Sequence, residues 1–431
     1  MLLRGKDMEL VGIDIGTTSV CGVVISAETG ELLKKETVNS NAFIEGEAFE
    51  KIQSPEKIMQ IATAILEKFI SEKTCAIGVT GQMHGIVYVD KEGKAVSPLY
   101  TWQDARGNLP YKGTTYAKFL GAPTGYGNVT DFYNKENGLR PDSAVTYCTI
   151  HDYFVMQICG NKAPKIHPTD AASFGLYNLT ENTWNYPVGA EIATGYAVAG
   201  KYQNIPVGVA IGDNQASVYA TVKSEKDVLL NVGTGSQVSV ITEKTEGGAD
   251  IEIRPFTDGK YLAVGAALCG GRAYSILKDF FRKTLSYRGE ISEEETYAIM
   301  AEMLKKGAAP LTVDTRFAGT RSNPHLTGSV SGITVDNFTP ESLTAGVISG
   351  MVQELFALYQ AMGEEKTGMV ASGNGIRKNA FMQKEAENRF GMQVKFPLYK
   401  EEAAVGAALF SGVCAGVFAS GEEARSVIQY E

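Results

Sequence analysis

Two aspartates each stand at the end of a short apolar run, where a carboxylate could do chemistry. Asp14 lies beside the turn of residues 16–19, where it could hold a hydrated Mg²⁺ ion or simply cap the turn. Asp213 lies between an apolar strand pattern and the start of a helical pattern, where it could cap the helix or act as a general base. Accepting the proton of an attacking hydroxyl group is one of the few demands that phosphoryl transfer makes on a protein.

The turn beside Asp14 has the residue types of a phosphate clamp. Gly16 lets the main chain approach a ligand closely, and Thr17 and Thr18 add hydroxyl donors to the exposed backbone N–H groups. Residues 230–236 repeat the pattern of residues 13–19 about half a chain length later, with Thr234 in the turn. Such turns are common, so chance is the alternative; otherwise the repeat predicts two similar halves that each begin with the same hairpin.

A third glycine-rich segment, residues 370–379, reads as a strand, a turn and the beginning of a helix. Gly373 and Asn374 lie in this turn, and such turns commonly place backbone against an adenine or a ribose. The pattern is weak alone and gains weight as the third of three nucleotide-binding elements.

Polar and aromatic side chains of the first half are of the kinds that bind sugars. His84 lies in the Gln-Met-His-Gly segment of residues 82–85, and Trp102 in residues 101–106 could stack on a sugar ring. The alternative for both is a packing role in the core. His151 opens an apolar helical pattern, which favours a structural role for it.

The elements that must position these residues alternate in type. Residues 10–16, 20–25 and 76–80 read as strands, and residues 55–70 carry apolar side chains at helical spacing. This alternation predicts a mixed α/β layer fold.

Composition narrows the possible functions. The chain has 431 residues, 44% of them hydrophobic, and a net charge of −9, which gives no basic field for nucleic acid or an anionic membrane. It contains no apolar run long enough to cross a membrane and does not start with a secretory signal pattern. The six cysteines form no C-x-x-C pair and the four histidines have no metal-ligand spacing, which disfavours a zinc site. Scattered free cysteines indicate a reducing compartment and therefore a cytoplasmic protein.

Five segments together resemble the FGGY carbohydrate kinases in type and order: residues 14–18, 81–85, 212–217, 233–236 and 372–375. The resemblance implies two ribonuclease-H-like (actin-type ATPase) domains that flank a deep catalytic cleft. The N-terminal domain, residues 1–216, would bind the sugar and carry the first phosphate hairpin. The C-terminal domain, residues 217–431, would bind ATP.

The resemblance also implies roles for single residues. Asp213 corresponds to the catalytic base and Asp14 to the carboxylate that organises Mg²⁺. The implied phosphate contacts are Thr17, Thr18 and Thr234; the implied adenosine contacts are Gly373, Asn374 and Lys378; the implied sugar contacts are Met83, His84, Trp102, Asp104 and Asn214.

The expected activity is ATP-dependent phosphorylation of the terminal primary hydroxyl group of a ketose. Within the family the chain is most similar to members that convert D-sedoheptulose to its 7-phosphate, and the alternative is D-xylulose to its 5-phosphate. An alternative of another class is a non-catalytic, actin-like regulator that binds ATP or sugar. The expected partners are a ketose and ATP, without nucleic acid or membrane, and a homodimer is left open.

Overall fold

The computed structural model describes residues 8–233 and 235–431, which form two compact units. The first unit contains the described residues up to Lys223, together with Pro255–Lys260 and Tyr399–Gln429. The second unit contains Ser224–Arg254, Tyr261–Leu398 and Tyr430–Glu431. A division at residue 216 differs from these units mainly because a late segment of the chain returns to the first one.

Strands and helices alternate along both units. The strands are β1 (Glu9–Ile15), β2 (Ser19–Ser26), β3 (Leu32–Asn39), β4 (Phe43–Ile44), β5 (Ile52–Gln53), β6 (Thr74–Gly81), β7 (Val87–Asp90), β8 (Leu99–Tyr100), β9 (Pro110–Tyr111), β10 (Thr114–Thr115), β11 (Ala144–Cys148), β12 (Lys165–Ile166), β13 (Tyr177–Asn178), β14 (Thr183–Trp184), β15 (Glu191–Ile192), β16 (Val198–Tyr202), β17 (Ile205–Gly208), β18 (Ile211–Gly212), β19 (Asp227–Val232), β20 (Ser236–Thr242), β21 (Ile251–Pro255), β22 (Tyr261–Ala267), β23 (Thr312–Asp314), β24 (Ser329–Ser331), β25 (Gly368–Ser372) and β26 (Val394–Lys395). The α-helices are α1 (Pro55–Phe69), α2 (Tyr116–Leu120), α3 (Gly127–Glu136), α4 (Ile150–Ile158), α5 (Pro168–Ser173), α6 (Asp213–Thr221), α7 (Arg272–Ser286), α8 (Glu293–Lys305), α9 (Pro340–Met362), α10 (Asn374–Arg377), α11 (Ala380–Phe390), α12 (Glu402–Cys414) and α13 (Gly421–Ser426).

The main sheet of the first unit runs in the order β16-β17-β6-β1-β2-β3, with β18 also paired to β6. Strands β1, β2 and β3 are successively antiparallel, whereas β6 lies parallel to β1 and to β18. The apolar side chains of β1, among them Leu10, Ile13 and Ile15, are fully buried. The predicted strands and the predicted helix over residues 55–70 are confirmed by β1, β2, β6 and α1.

The main sheet of the second unit repeats this arrangement. Its order is β21-β22-β20-β19-β25-β26, in which β19, β20 and β22 are antiparallel neighbours and β25 lies parallel to β19. Helices α7, α9 and α11 contribute Leu277, Ile348 and Ala386 to its core. The predicted internal repeat is therefore real, because each unit begins with the same hairpin and continues with the same strand directions.

Helix α1 shows how local signals set an element. Ser54 is the N-cap and its hydroxyl accepts a hydrogen bond from Lys57 N–H, while Pro55 occupies the first turn, where a missing N–H has no cost. Ile58, Ala62 and Ile65 recur at helical spacing and are buried, so one face of the helix packs on the sheet.

Helix α12 lies against the first sheet, although it comes almost two hundred residues after it. The approach is so close that a Cβ on Gly12 would lie 1.9 Å from Ala404 O, and one on Gly78 would lie 1.9 Å from Ala407 O. Gly406 of the same helix makes an equally close contact with Ala216 O of α6. These glycines fix α12 and α6 against the sheet that carries Asp14.

We expect Gly12→Ala to destabilise the protein by about 1–3 kcal/mol, because the added methyl group overlaps a backbone carbonyl that cannot rotate away. The shift of the urea unfolding midpoint measures this cost. Gly248→Ala is the matched control, since a Cβ there meets nothing within 4 Å. Equal midpoints for the two variants would show that α12 does not pack as described.

Among the described residues, no helix combines the length and the apolar character that a membrane span requires.

Candidate active site

Three parallel strand ends bring the two predicted aspartates together in the first unit. Asp14 of β1 lies opposite Thr80 of β6, and Gly212 of β18 lies opposite Gly81 of β6. Asp213 follows directly as the first residue of α6. Two carboxylates separated by almost two hundred residues of sequence are thereby close enough for their charges to interact.

The Asp14 side chain has the properties of a cation ligand. Its Oδ1 atom is buried and has no hydrogen-bond partner among the described residues. Burial and the neighbouring Asp213 carboxylate raise the pKa of Asp14 to about 7, and His151 opposes this shift. A buried carboxylate oxygen without a partner suits a hard cation such as Mg²⁺, bound directly or through water, because the cation removes the cost of holding two anions together.

Asp213 is the first residue of α6 and does not occupy the N-cap position of this helix. Gly212 occupies the N-cap position, and the half-buried Asp213 side chain accepts a hydrogen bond from Asn214 N–H at 2.7 Å. The positive end of the α6 dipole stabilises the ionised carboxylate at this position. Asn214, a predicted sugar contact, is half-buried next to it.

The first glycine-threonine turn is tied to other parts of the same unit. Thr17 Oγ1 accepts a hydrogen bond from Trp102 Nε1 at 2.9 Å and donates a longer one of 3.4 Å to Gln82 Oε1. Gln53 Nε2 donates a hydrogen bond to the Thr17 carbonyl oxygen at 2.6 Å, which fixes the backbone of the turn. Thr18 is exposed, as a side chain that contacts a ligand must be.

Met83 and His84 lie in the segment that follows the end of β6. Met83 packs so closely under Gly212 that a Cβ there would lie 2.7 Å from its sulfur. His84 has a positive φ of 71°, stacks on Tyr126 with ring centroids 4.2 Å apart, and places Nδ1 2.8 Å from Ser173 O. Because a carbonyl oxygen only accepts, Nδ1 is the ring nitrogen that carries a proton in this contact.

Trp102 is 47% exposed even though its indole N–H is bonded to Thr17. An exposed aromatic face beside polar side chains is a suitable surface for a sugar ring, so its predicted role stays a prediction with compatible geometry.

Asp104 lies in the interior of the first unit, and its predicted contact with the sugar stays a prediction. It is fully buried, and its two carboxylate oxygens accept hydrogen bonds from the Arg106 side chain, Arg106 N–H and Lys51 N–H. With these bonds made and no exposed surface, Asp104 holds the loop that carries Trp102. The sequence pattern could not separate this role from sugar binding, because a buried and an exposed aspartate look alike beside a tryptophan.

The second unit gathers its own glycine-rich turns at adjacent strand ends. Ser372, at the end of β25, lies opposite Asn231 near the end of β19, so the segments that follow these two strands start side by side. Gly373 has φ 87° and sits so close to Val232 O that a Cβ would lie 2.4 Å from it. The hydroxyl groups of Ser236 and Ser372 are buried without a hydrogen-bond partner among the described residues, which leaves polar atoms for a ligand.

The remaining predicted nucleotide contacts are of two kinds. Asn374 and Lys378 are exposed, the first at the beginning of α10 and the second directly after its end. Thr234 lies outside the described residues.

Several residues of the first site were not singled out from the sequence as site residues. Tyr126 and Ser173 hold the His84 ring, and His151 and Asp170 lie behind the strand ends. No sequence motif links these residues, because they lie on different elements and only the fold brings the elements together.

Comparisons with known proteins agree with this arrangement. Residues 9–110 match the N-terminal domain, and residues 228–415 the C-terminal domain, of the FGGY family of carbohydrate kinases. The sedoheptulokinases of Mus musculus and Homo sapiens are each 28% identical to this chain, over 93% of this chain and 96% of theirs. The crystal structure of xylulose kinase from Rhodospirillum rubrum has a TM-score of 0.84 at 17% identity and covers 98% of this chain and 93% of that one.

Proposed function

Because the chain belongs to the FGGY family of carbohydrate kinases, and has their two-domain, actin-type ATPase fold, we propose that it phosphorylates the terminal primary hydroxyl group of a ketose. The family implies ATP as the phosphoryl donor and a sugar as the acceptor. The observation that carries the proposal is the meeting of Asp14 and Asp213 at parallel strand ends, since a base and a cation ligand are the carboxylates that this transfer requires.

In the proposed reaction, the sugar hydroxyl oxygen forms a bond to the γ-phosphorus of ATP. The bond from that phosphorus to the bridging oxygen breaks, and ADP leaves with the electron pair. Asp213 accepts the hydroxyl proton as the new bond forms. Asp14 would hold Mg²⁺, which neutralises charge on the phosphate oxygens when it is bound.

The binding roles follow the two parts of the chain. We assign sugar binding to residues 1–216, where Met83, His84, Trp102 and Asn214 present apolar, aromatic and polar groups. We assign ATP binding chiefly to residues 217–431, where the buried hydroxyl groups of Ser236 and Ser372 have no hydrogen-bond partner among the described residues. The proposed phosphate and adenosine contacts are Thr17, Thr18, Thr234, Gly373, Asn374 and Lys378.

D-Sedoheptulose is the proposed acceptor and sedoheptulose 7-phosphate the product. Two relatives that cover almost the whole chain are named sedoheptulokinase, which supports this choice over xylulose. We place the enzyme in the cytoplasm, where ATP is available, and its six free cysteines are compatible with a reducing compartment.

We expect kcat/KM to be at least about tenfold higher for D-sedoheptulose than for D-xylulose, D-ribulose, glycerol or D-fructose. A site built to hydrogen-bond the hydroxyl groups of one sugar leaves buried polar groups unpaired when a shorter sugar binds. An ADP-release assay with each sugar as the varied substrate measures the ratios.

Two outcomes of this assay would change the proposal. A higher kcat/KM for xylulose would make the chain a xylulokinase. ATP binding without ADP release for any of these sugars would favour the non-catalytic regulator.

A further inference from the structure

A buried ionic cluster lies in the first unit next to the proposed active site. His151 and Asp152 are in the first turn of α4, and Asp170 is in α5. All three side chains are fully or almost fully buried, and His151 Nε2 lies 3.0 Å from Asp170 Oδ1. Completely buried charges are costly, so a cluster of this kind calls for a functional reason.

The His151 ring is packed against the end of β6, between the strands that carry the two site aspartates. A Cβ on Gly81 would lie 3.0 Å from His151 Nδ1 and 2.5 Å from Ile15 O, so Gly81 makes room for the ring. In the sheet, Gly81 pairs with Ile15 on one side and with Gly212 on the other. These partners are the sequence neighbours of Asp14 and Asp213, so the imidazole faces the place where the two carboxylates meet.

His151 is the cation of this group. Burial lowers its pKa, but the adjacent Asp170 outweighs burial and raises the pKa to about 9, with support from Asp152 and Asp213. The other histidine nearby, His167, is neutral: burial lowers its pKa to about 4, and its Nδ1 accepts a hydrogen bond from Thr169 N–H.

The four carboxylates around His151 come from four elements. Asp170 of α5 is its direct partner, and Asp152 of α4 has a pKa raised by burial and by Asp170. Asp14 of β1 and Asp213 of α6 interact with His151 through charge, as the shifts of Asp14 and His151 both record. His151 therefore lies among several carboxylates, and its charge opposes the raised pKa values of Asp14 and Asp152.

We propose that His151, held in place by Asp170, is a positioning residue that supplies a buried positive charge behind Asp14 and Asp213 and keeps Asp213 ready to accept the sugar proton. The inference rests on the proposed function, since it assigns Asp213 as the base. Without His151, the Asp14 and Asp213 carboxylates would lose the opposing charge that lies behind the strand ends.

The test compares a neutral and a charged replacement in the full-length protein. His151→Gln keeps polarity without charge, and we expect kcat to fall about 10–100-fold while the KM for the sugar changes less than about threefold. His151→Lys restores a cation, and we expect it to recover most of the lost kcat. Asp170→Asn removes the anchor of the imidazolium, and we expect a loss of kcat similar to that of His151→Gln.

Controls separate this role from a structural one. His167→Asn keeps an N-cap residue on α5 and removes no charge, so we expect kcat within about twofold of wild type. Melting temperatures are measured for all variants, and kcat is compared at a temperature where each is folded.

Three results would overturn the inference. They are an unchanged kcat in His151→Gln, equal losses in His151→Gln and His151→Lys, and a stoichiometric metal ion that copurifies with wild type and is lost in His151→Gln. The last result would make the cluster a metal site, for which the ligand atoms of His151, Asp152 and Asp170 lie within 4.8 Å of one another. A wild-type protein that phosphorylates none of the tested sugars would instead contradict the proposed function itself.

Discussion

Asp213→Asn is expected to lower kcat about 10²–10⁴-fold and to leave the dissociation constant of the sugar almost unchanged. The amide has the shape of the carboxylate and can still accept the hydrogen bond from Asn214 N–H, but it cannot take the hydroxyl proton. Because proton transfer accompanies the chemical step rather than binding, the loss appears in kcat. Steady-state assays of ADP release, with sugar binding measured by calorimetry, separate the two quantities.

Asp142→Asn is the matched control, since Asp142 is exposed and lies in the loop that precedes β11. It should retain wild-type turnover. If Asp213→Asn also turned over at close to the wild-type rate, Asp213 would not be the base, and a different group would have to receive the proton.

The parts of the fold that the sequence predicts are those with a strong local signal. The strand-turn-strand pattern around Asp14 and its repeat near residue 233 depend on short-range alternation and on glycine, and both hairpins form. Helix α1 is marked at its start by Ser54 and Pro55 and along its length by apolar periodicity. Such signals are read within a window of about twenty residues.

The return of α12 to the first sheet could not be predicted in the same way. Its residues are mostly small and apolar, which predicts a buried helix but does not indicate the sheet against which it packs. The partners become visible only in space, where Gly12 and Gly78 of the sheet meet the backbone of Ala404 and Ala407. The helix packs closely on the sheet because Gly12 and Gly78 have no side chains, and glycines leave no periodic apolar pattern in the sequence.

The candidate site shows the same division. Asp14 and Asp213 stand out because each ends an apolar run beside a turn, and the topology places both at strand ends. The burial of Asp104, in contrast, and the pairing with Asp170 that raises the pKa of His151 are not visible in the sequence. Both depend on neighbours from other elements, and the order of residues along the chain does not show which of them lie close together in the folded protein.

The loop that carries Trp102 depends on a buried ion pair. Arg106 is 1% exposed; its Nε donates to Asp104 Oδ1 at 2.6 Å, and its guanidinium lies 4.2 Å from the centre of the Tyr100 ring. Two further side chains, Asn134 and Glu50, accept from its terminal nitrogens. The guanidinium thus has several partners, and among the described residues no other cation is paired with Asp104.

Arg106→Met is therefore expected to destabilise the protein by about 3–5 kcal/mol, because it leaves the Asp104 carboxylate buried and without its partner. Urea unfolding measures the change. The double variant Asp104→Asn, Arg106→Met should lose much less free energy of unfolding than the two single variants together. Each single variant leaves one buried charge unpaired, whereas the double variant removes both charges. Lys35→Met, which breaks the exposed pair with Glu401, should barely move the midpoint. Additive losses at positions 104 and 106 would show that the two side chains contribute to stability independently.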